Sequence, residues 1–342
     1  MIGRNTVNAP TTHLLFGLGE SRGFAADIAR AASIELVPLE ERTFEEGEFK
    51  LRPLVPVRDR TVFVVQSLAG STDAPVAHRL VRLLFLLFGL RDAGASRTIA
   101  LVPYLSFARK DRRTQLRDPV NTRYVAQLLE STGLGRLIAL DVHNPAALDN
   151  AFRIPLDHLS ALPMFADHFA RRFPGSELVV ASPDVGGIKR VQLFREFLAR
   201  RLEKDVELAF VEKRRAGGVV SGGTIVGNVA GRTVIVLDDL CATGGTLTRA
   251  AAGLREAGAE AVHIAVTHAP LAAGLAALLA TDGIAGIVVT DSVGTAMHGQ
   301  VPSRHPKLTI LPIAPLFGQA VTRIMSGAPL APLLERWPPA DL

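Results

Sequence analysis

One cysteine stands in 342 residues, Cys241. A lone cysteine excludes an intramolecular disulfide and any cysteine-based zinc cluster. With no base and no thiolate-stabilising cation beside it, Cys241 reads as a small packing residue. Long apolar runs are missing too. The two most apolar stretches, 80-LVRLLFLLFGL-90 and 271-LAAGLAALLA-280, fall short of the ~18 residues a membrane span needs, and Arg82 interrupts the first. The first residues, MIGRNTVNAPTTH, contain no apolar h-region, so no signal peptide is expected. There is no run of five or more Lys/Arg with interleaved aromatics, no repeat of solenoid type and no extended low-complexity tract. These absences predict a soluble, cytoplasmic protein with neither membrane nor nucleic acid as a partner.

What is present fits a globular α/β chain. Hydrophobic residues make up 48% and charged residues 21%, enough for a sizeable core. The charge balance, 38 − 33 = +5, suits small anionic substrates or a solvated Arg-rich surface. A length of 342 residues fits two domains of ordinary size. Short β-branched runs recur at 61–67, 98–104, 136–143, 177–184, 206–212, 233–239, 261–268 and 286–292. Helical patterns lie between many of them, at 74–94, 119–133, 188–203 and 246–259. Continuous apolar strands alternating with helices predict parallel sheets covered on both faces. The two halves look alike in layout, and the Arg171 to Gly175 turn places a boundary near 155–175. The expected division is 12–160 and 161–325.

The most informative stretch is 233-TVIVLDDLCATGGTLTRAA-251. A buried strand delivers Asp238 and Asp239 at its carboxyl end, where ligands bind in open parallel sheets. Ala242, Thr243, Gly244, Gly245 and Thr246 then lead into a helix. Glycines admit close backbone approach, and the free N–H groups of a helix N-terminus suit a phosphate. Carboxylates accept from sugar hydroxyls or hold Mg²⁺. A phosphorylated sugar combines both requirements.

This stretch resembles the phosphoribosyl-binding loop shared by type I phosphoribosyltransferases and ribose-phosphate pyrophosphokinases. Five further stretches, 43-TFEEGEF-49, 103-PYLSFARKDRR-113, 140-LDVHN-144, 182-SPDVGG-187 and 211-VEKRRAGG-218, resemble the pyrophosphokinase family specifically. The resemblance runs from about residue 14 to about 320 and implies two tandem phosphoribosyltransferase-type, Rossmann-like domains. It implies transfer of the diphosphoryl group of Mg-ATP to ribose 5-phosphate, giving phosphoribosyl pyrophosphate and AMP. Under it, Asp238 and Asp239 face the ribose hydroxyls, and Ala242 to Thr246 wrap the 5-phosphate. Arg109, Lys110, Asp111 and Arg112 lie at ATP. Phe44, Glu46 and Glu48 reach the adenine of a neighbouring subunit, so a homo-oligomer, dimer or hexamer, is implied. His143 and Asp184 are implied Mg²⁺ ligands. Lys213 and Arg215 sit on a catalytic lid and stabilise transferring charge.

Some residues depart from the family pattern. Ala242 replaces an Asp of the loop, Glu46 replaces Asp, Lys110 replaces Gln, and 16-FGLGES-21 replaces an Ala-Gly-Asn/Ser stretch. These departures motivate an alternative expectation, a catalytically silent regulatory or associated subunit. A phosphoribosyltransferase is disfavoured, because it would have no use for the 107-FARKDRR-113 element.

Overall fold

The computed structural model describes residues 12–71, 74–216, 219–294 and 305–334, with the side chains of 213–223 left outside the description. In chain order the first half runs β1 (His13–Gly17), α1 (Arg22–Ala32), β2 (Leu39–Thr43), β3 (Phe49–Pro53), β4 (Thr61–Val65), α2 (Val76–Asp92), β5 (Arg97–Val102), α3 (Asn121–Ser131), β6 (Arg136–Leu140), α4 (Pro145–Ala151) and β7 (Leu156–Leu159). The second half runs α5 (Leu162–Arg172), β8 (Leu178–Ser182), α6 (Ile188–Leu202), β9 (Glu207–Ala216), β10 (Val219–Val226), β11 (Thr233–Leu240), α7 (Gly245–Glu256), β12 (Ala261–His268), α8 (Ala272–Leu279), β13 (Ile284–Thr290), β14 (Leu308–Leu311) and α9 (Ala314–Ser326).

Two sheets result. The first has the order β1-β4-β5-β6-β7 and is wholly parallel. The second has the order β10-β9-β8-β11-β12-β13-β14, parallel except for the β9–β10 hairpin. Alternation along each strand decides which layer a side chain joins. In the first sheet Leu14, Phe16, Val62 and Val64 face α2 and α3, while Leu15, Phe63 and Val65 face the other way. In the second sheet Val234 and Val236 face α7 and α8, while Ile235 and Leu237 face inward. The inward sides of both sheets bury one shared apolar layer built from α1, α5, α6 and α9. Five layers therefore stack: helices, sheet, shared helices, sheet, helices. The α/β expectation holds.

The shared layer joins the end of the chain to its beginning. Phe317 of α9 is fully buried and meets Phe24 of α1 edge-on at 5.9 Å. Leu334 bridges Leu159 of β7, and the Ser160 N–H donates to the Leu333 carbonyl.

The eight expected strands and four expected helices are all present, with ends displaced by a few residues. The strand expected at 206–212 runs on to Ala216 as β9 and pairs antiparallel with β10. Short or polar elements such as β1, β2, β3, β7 and β14 gave no strong periodic signal.

Two outcomes follow for stability. Phe317→Ala should lower unfolding free energy by about 3–5 kcal/mol, the usual cost of emptying a fully buried aromatic site. Urea titration checks this, and a change below about 1 kcal/mol would mean that the shared layer can collapse around the void. The second concerns His263, packed against Phe173 at 4.9 Å. Burial, then Arg172 and His168, push its imidazole down to about 4. The unfolded chain, with His near 6.5, takes up this proton first as pH falls, so the stability is present above about 6.5 and is lost towards 4. The urea midpoint should fall less between pH 7 and 5 in His263→Leu than in wild type; parallel falls would rule His263 out as the cause.

Candidate active site

The carboxyl ends of the two sheets face each other. After β5 comes Tyr104, after β6 the segment Asp141 to Asn144, after β8 Asp184, and after β11 the loop 241–244. Between them lies a cleft of about 760 Å³. Its first wall carries Arg109, Asp111, Arg112, His143 and Asn144. The second carries Asp184, Lys189, Arg190, Asp238, Asp239, Ala242, Thr243, Gly244 and Thr246.

The acid pair is the electrostatic centre. Arg190 Nη1 donates to Asp239 Oδ1 at 2.7 Å and lies 3.6 Å from Asp238 Oδ1. His143 Nδ1 meets the other oxygen, Asp239 Oδ2, at 2.9 Å. Arg190 Nη2 also donates to the His143 carbonyl at 3.2 Å. Asp239 is thus held on both oxygens, one of them by a residue of the other half. Burial raises the pKa of Asp239, but Arg190 and His143 outweigh it and hold the carboxyl below its usual range. Asp238 moves the other way: burial, then the adjacent Asp239 charge, push it well up. The hydrogen bond to Asp239 raises His143. Because Asp239 engages Nδ1, the Nε2 of this half-exposed ring is the nitrogen left for a ligand.

The loop 241–244 is formed by close backbone packing. Gly244 has φ +80°, and a Cβ there would stand 2.8 Å from the Gly274 carbonyl. A Cβ on Gly274 of α8 would come 2.1 Å from the Ala242 carbonyl. The two glycines let α8 press the loop into shape, and α7 begins directly behind it at Gly245. Cys241 is buried beneath the loop, and burial pushes its thiol up to about 12, in keeping with a packing residue.

The structure brings together most of the residues singled out from sequence: Arg109, Asp111, Arg112, His143, Asp184, Asp238, Asp239, Ala242, Thr243, Gly244 and Thr246 all line the cleft. Lys110 does not. It ion-pairs with Asp118, which also accepts from the N–H groups of Thr114 and Gln115 at 2.9 Å each. Its neighbour Asp111 accepts from Asn144 Nδ2 at 2.5 Å on the cleft side. The loop turns through a left-handed residue at Phe107, φ +62°, ahead of this segment, and the Asp118 carboxylate draws Lys110 away from the cleft. Phe44, Glu46 and Glu48 form the tip of the β2–β3 hairpin, closed by the Phe44 N–H to Glu48 carbonyl bond, and none of them lines the cleft. Lys213 and Arg215 fall on β9, and their side chains lie outside the described residues.

Sequence reading missed Lys189 and Arg190. Both sit in the first turn of α6, where the helix dipole disfavours cations. A base in that position is a signal that something anionic holds it there, and Asp239 holds Arg190.

No helix among the described residues is long and apolar enough to cross a membrane. Residues 13–133 match the family model described as the N-terminal domain of ribose phosphate pyrophosphokinase, and residues 163–278 match that of the phosphoribosyl transferase domain. The chain is 35% identical over 322 residues to a ribose-phosphate pyrophosphokinase of Listeria ivanovii, spanning 94% of this chain and 96% of that one. It is 35% identical over 323 residues to that of Hyphomonas neptunium, spanning 94% and 99%. Among solved structures, phosphoribosylpyrophosphate synthetase from Mycobacterium smegmatis superposes with a TM-score of 0.82 at 29% identity, covering 93% of this chain and all of that one.

The Asp118 clamp gives a local test. Asp118→Ala should speed amide exchange at Thr114 and Gln115 by tenfold or more while β5 and α3 keep their protection. Unchanged exchange at both amides would mean that the loop holds its shape without the carboxylate.

Proposed function

From the chain's membership of the ribose-phosphate pyrophosphokinase family, which its relatives establish over 94% of its length, we propose how its cleft divides the work. The enzyme transfers the diphosphoryl group of ATP to the 1-hydroxyl of ribose 5-phosphate, producing phosphoribosyl pyrophosphate and AMP. The half spanning 12–160 receives ATP and the half spanning 161–325 receives the sugar phosphate. The observation that carries this division is the acid pair of β11 facing the Arg109 to Arg112 segment of the other half across one cleft.

Thr243, Gly244, Gly245 and Thr246 hold the 5-phosphate with backbone N–H groups, hydroxyls and the start of α7. Asp238 accepts from the ribose hydroxyls. Asp239, already bound on both oxygens, steadies His143 and Arg190 and contributes to the sugar site as part of that unit. Arg109 and Arg112 grip ATP phosphates. Asp111 is anchored through Asn144, while Lys110 supports the segment from behind through Asp118. Phe44, Glu46 and Glu48 reach a neighbouring copy's nucleotide from the tip of the hairpin, so the working enzyme is a homo-oligomer.

The donor set suits Mg²⁺. His143 and the carboxylates of Asp111, Asp184, Asp238 and Asp239 line the same cleft. No group of three or more His, Cys, Asp or Glu among the described residues forms a self-sufficient metal cage. Mg²⁺ takes few protein ligands and completes its octahedron with substrate phosphates and water, which matches such a sparse set. His143 and Asp184 would hold it, and the ion would offset phosphate charge. Lys213 and Arg215, carried on the β9–β10 hairpin, meet the charge on the transferring group, where positioning and electrostatics dominate.

The test is AMP release with Mg-ATP and ribose 5-phosphate, run beside Lys213→Ala. Wild type should turn over, and the variant should lose roughly two to three orders of magnitude in kcat. A folded wild type that binds ribose 5-phosphate yet makes no AMP would instead support the silent-subunit alternative.

A further inference from the structure

Directly beneath the cleft the two halves are joined by buried polar contacts. His268, at the end of β12, directs Nε2 to the Leu140 carbonyl of the other half at 3.0 Å and Nδ1 to Ser292 Oγ at 2.7 Å. A carbonyl only accepts, so Nε2 carries the proton and Nδ1 accepts from the Ser292 hydroxyl. Beside it, Thr267 Oγ1 donates to Asp141 Oδ2 at 2.6 Å, and the same carboxylate oxygen accepts from the Ala161 N–H at 3.1 Å. A third bond crosses nearby, from Ser67 Oγ to the Ser292 carbonyl at 2.7 Å. Ser67, Asp141, Thr267, His268 and Ser292 are all buried, none more than 3% exposed.

These contacts lead straight to the site. The His268 carbonyl accepts from the Cys241 N–H at 2.8 Å, at the start of the loop that follows the acid pair. On the other side, Leu140 and Asp141 lie three and two residues before His143. Asp141 holds a left-handed backbone, φ +37°, an uncommon conformation for a non-glycine residue. Tyr104, ahead of the Arg109 to Arg112 segment, packs its ring against His268 at 5.0 Å.

The shared apolar layer does not perform this task. Apolar contact is non-directional, so it holds two surfaces together while tolerating small slides. Buried hydrogen bonds have no water to replace them, so a group left unpaired keeps its full desolvation penalty. A slide of one ångström at this seam would break all three crossing bonds together.

We propose that the buried His268–Ser292–Ser67 and Thr267–Asp141 contacts set the register between the two halves of the cleft, and that His268 is a positioning residue for the transfer step. The proposal rests on the assignment of ATP to one half and ribose 5-phosphate to the other. The phosphate loop lies in one half and the Arg109 to Arg112 segment in the other, so a slip misaligns the reacting groups without removing the residues that grip either substrate. Misplacement by about 1 Å is enough to cost roughly a hundredfold in rate.

The experiment compares wild type with Thr267→Val, His268→Leu and His268→Gln. Thr267→Val preserves shape and guards against a His268 variant that fails to fold. Gln places an N–H donor where Nε2 stood. We expect kcat to fall thirtyfold or more in Thr267→Val and His268→Leu, while calorimetric affinities for ribose 5-phosphate alone and Mg-ATP alone stay within threefold. His268→Gln should recover at least a third of the lost rate. Register is read independently of turnover by double electron–electron resonance between nitroxides at Asp92→Cys and Glu203→Cys, one in each half, with labelled chain diluted in unlabelled. The distance distribution should broaden in Thr267→Val and His268→Leu and narrow again in His268→Gln. Distributions that superpose on wild type, or a rate loss matched by lost substrate affinity, would overturn the proposal. A wild type without turnover would count against the assigned reaction, and the resonance distances would still judge the register.

Discussion

Asp239 is bound on both carboxylate oxygens, by Arg190 from its own half and by His143 from the other. Much of the cleft depends on that arrangement. It fixes the ring of His143, holds an arginine in the first turn of a helix against the dipole, and keeps one acid of an adjacent pair ionised while the other is pushed up. Two carboxylates one residue apart thereby acquire different characters. The bridge joins the end of β11, the segment after β6 and the first turn of α6 across the cleft.

Much of this was legible in the sequence, and the parts that were not have physical reasons. Strands buried on both faces, such as Thr61–Val65 and Leu178–Ser182, announce themselves as continuous apolar runs. Strand-loop-helix punctuation around Asp238 to Thr246 marked a strand end and a helix start that the structure sets on the cleft. The direction of Lys110 was not legible, because its partner Asp118 lies eight residues on, in a loop with no periodic pattern. Nor was the role of Arg190, since its partner lies 49 residues away and no local pattern encodes such a pairing. His268 reads in sequence as an ordinary strand end, and its reach to Leu140 spans 128 residues.

Charges that do not enter the cleft organise the first half around the β2–β3 hairpin. Arg79 is almost wholly buried on α2 and pairs with Glu20, while Arg82 pairs with Glu41 at 2.5 Å and lies over the Phe49 ring. Glu41 in turn accepts from the Gly19 N–H at 2.9 Å. These pairs tie α2 to the segment after β1 and to the base of the hairpin whose tip carries Phe44, Glu46 and Glu48. Buried ion pairs contribute little net stability but are costly to break singly. Their effect here is to aim the hairpin.

The return of α9 onto α1, and of Leu333 and Leu334 onto the edge beyond β7, also governs how the chain is made. A ribosome delivers β1 to β7 long before residues 314–334 emerge. Until then the inward face of the first sheet lacks α9, and the apolar side of α1 has no permanent cover. Contacts between residues some three hundred positions apart also carry a large loop-closure cost, which slows the final step. The nascent first half must therefore remain soluble with that face open, so the last helix closes the first half as well as its own.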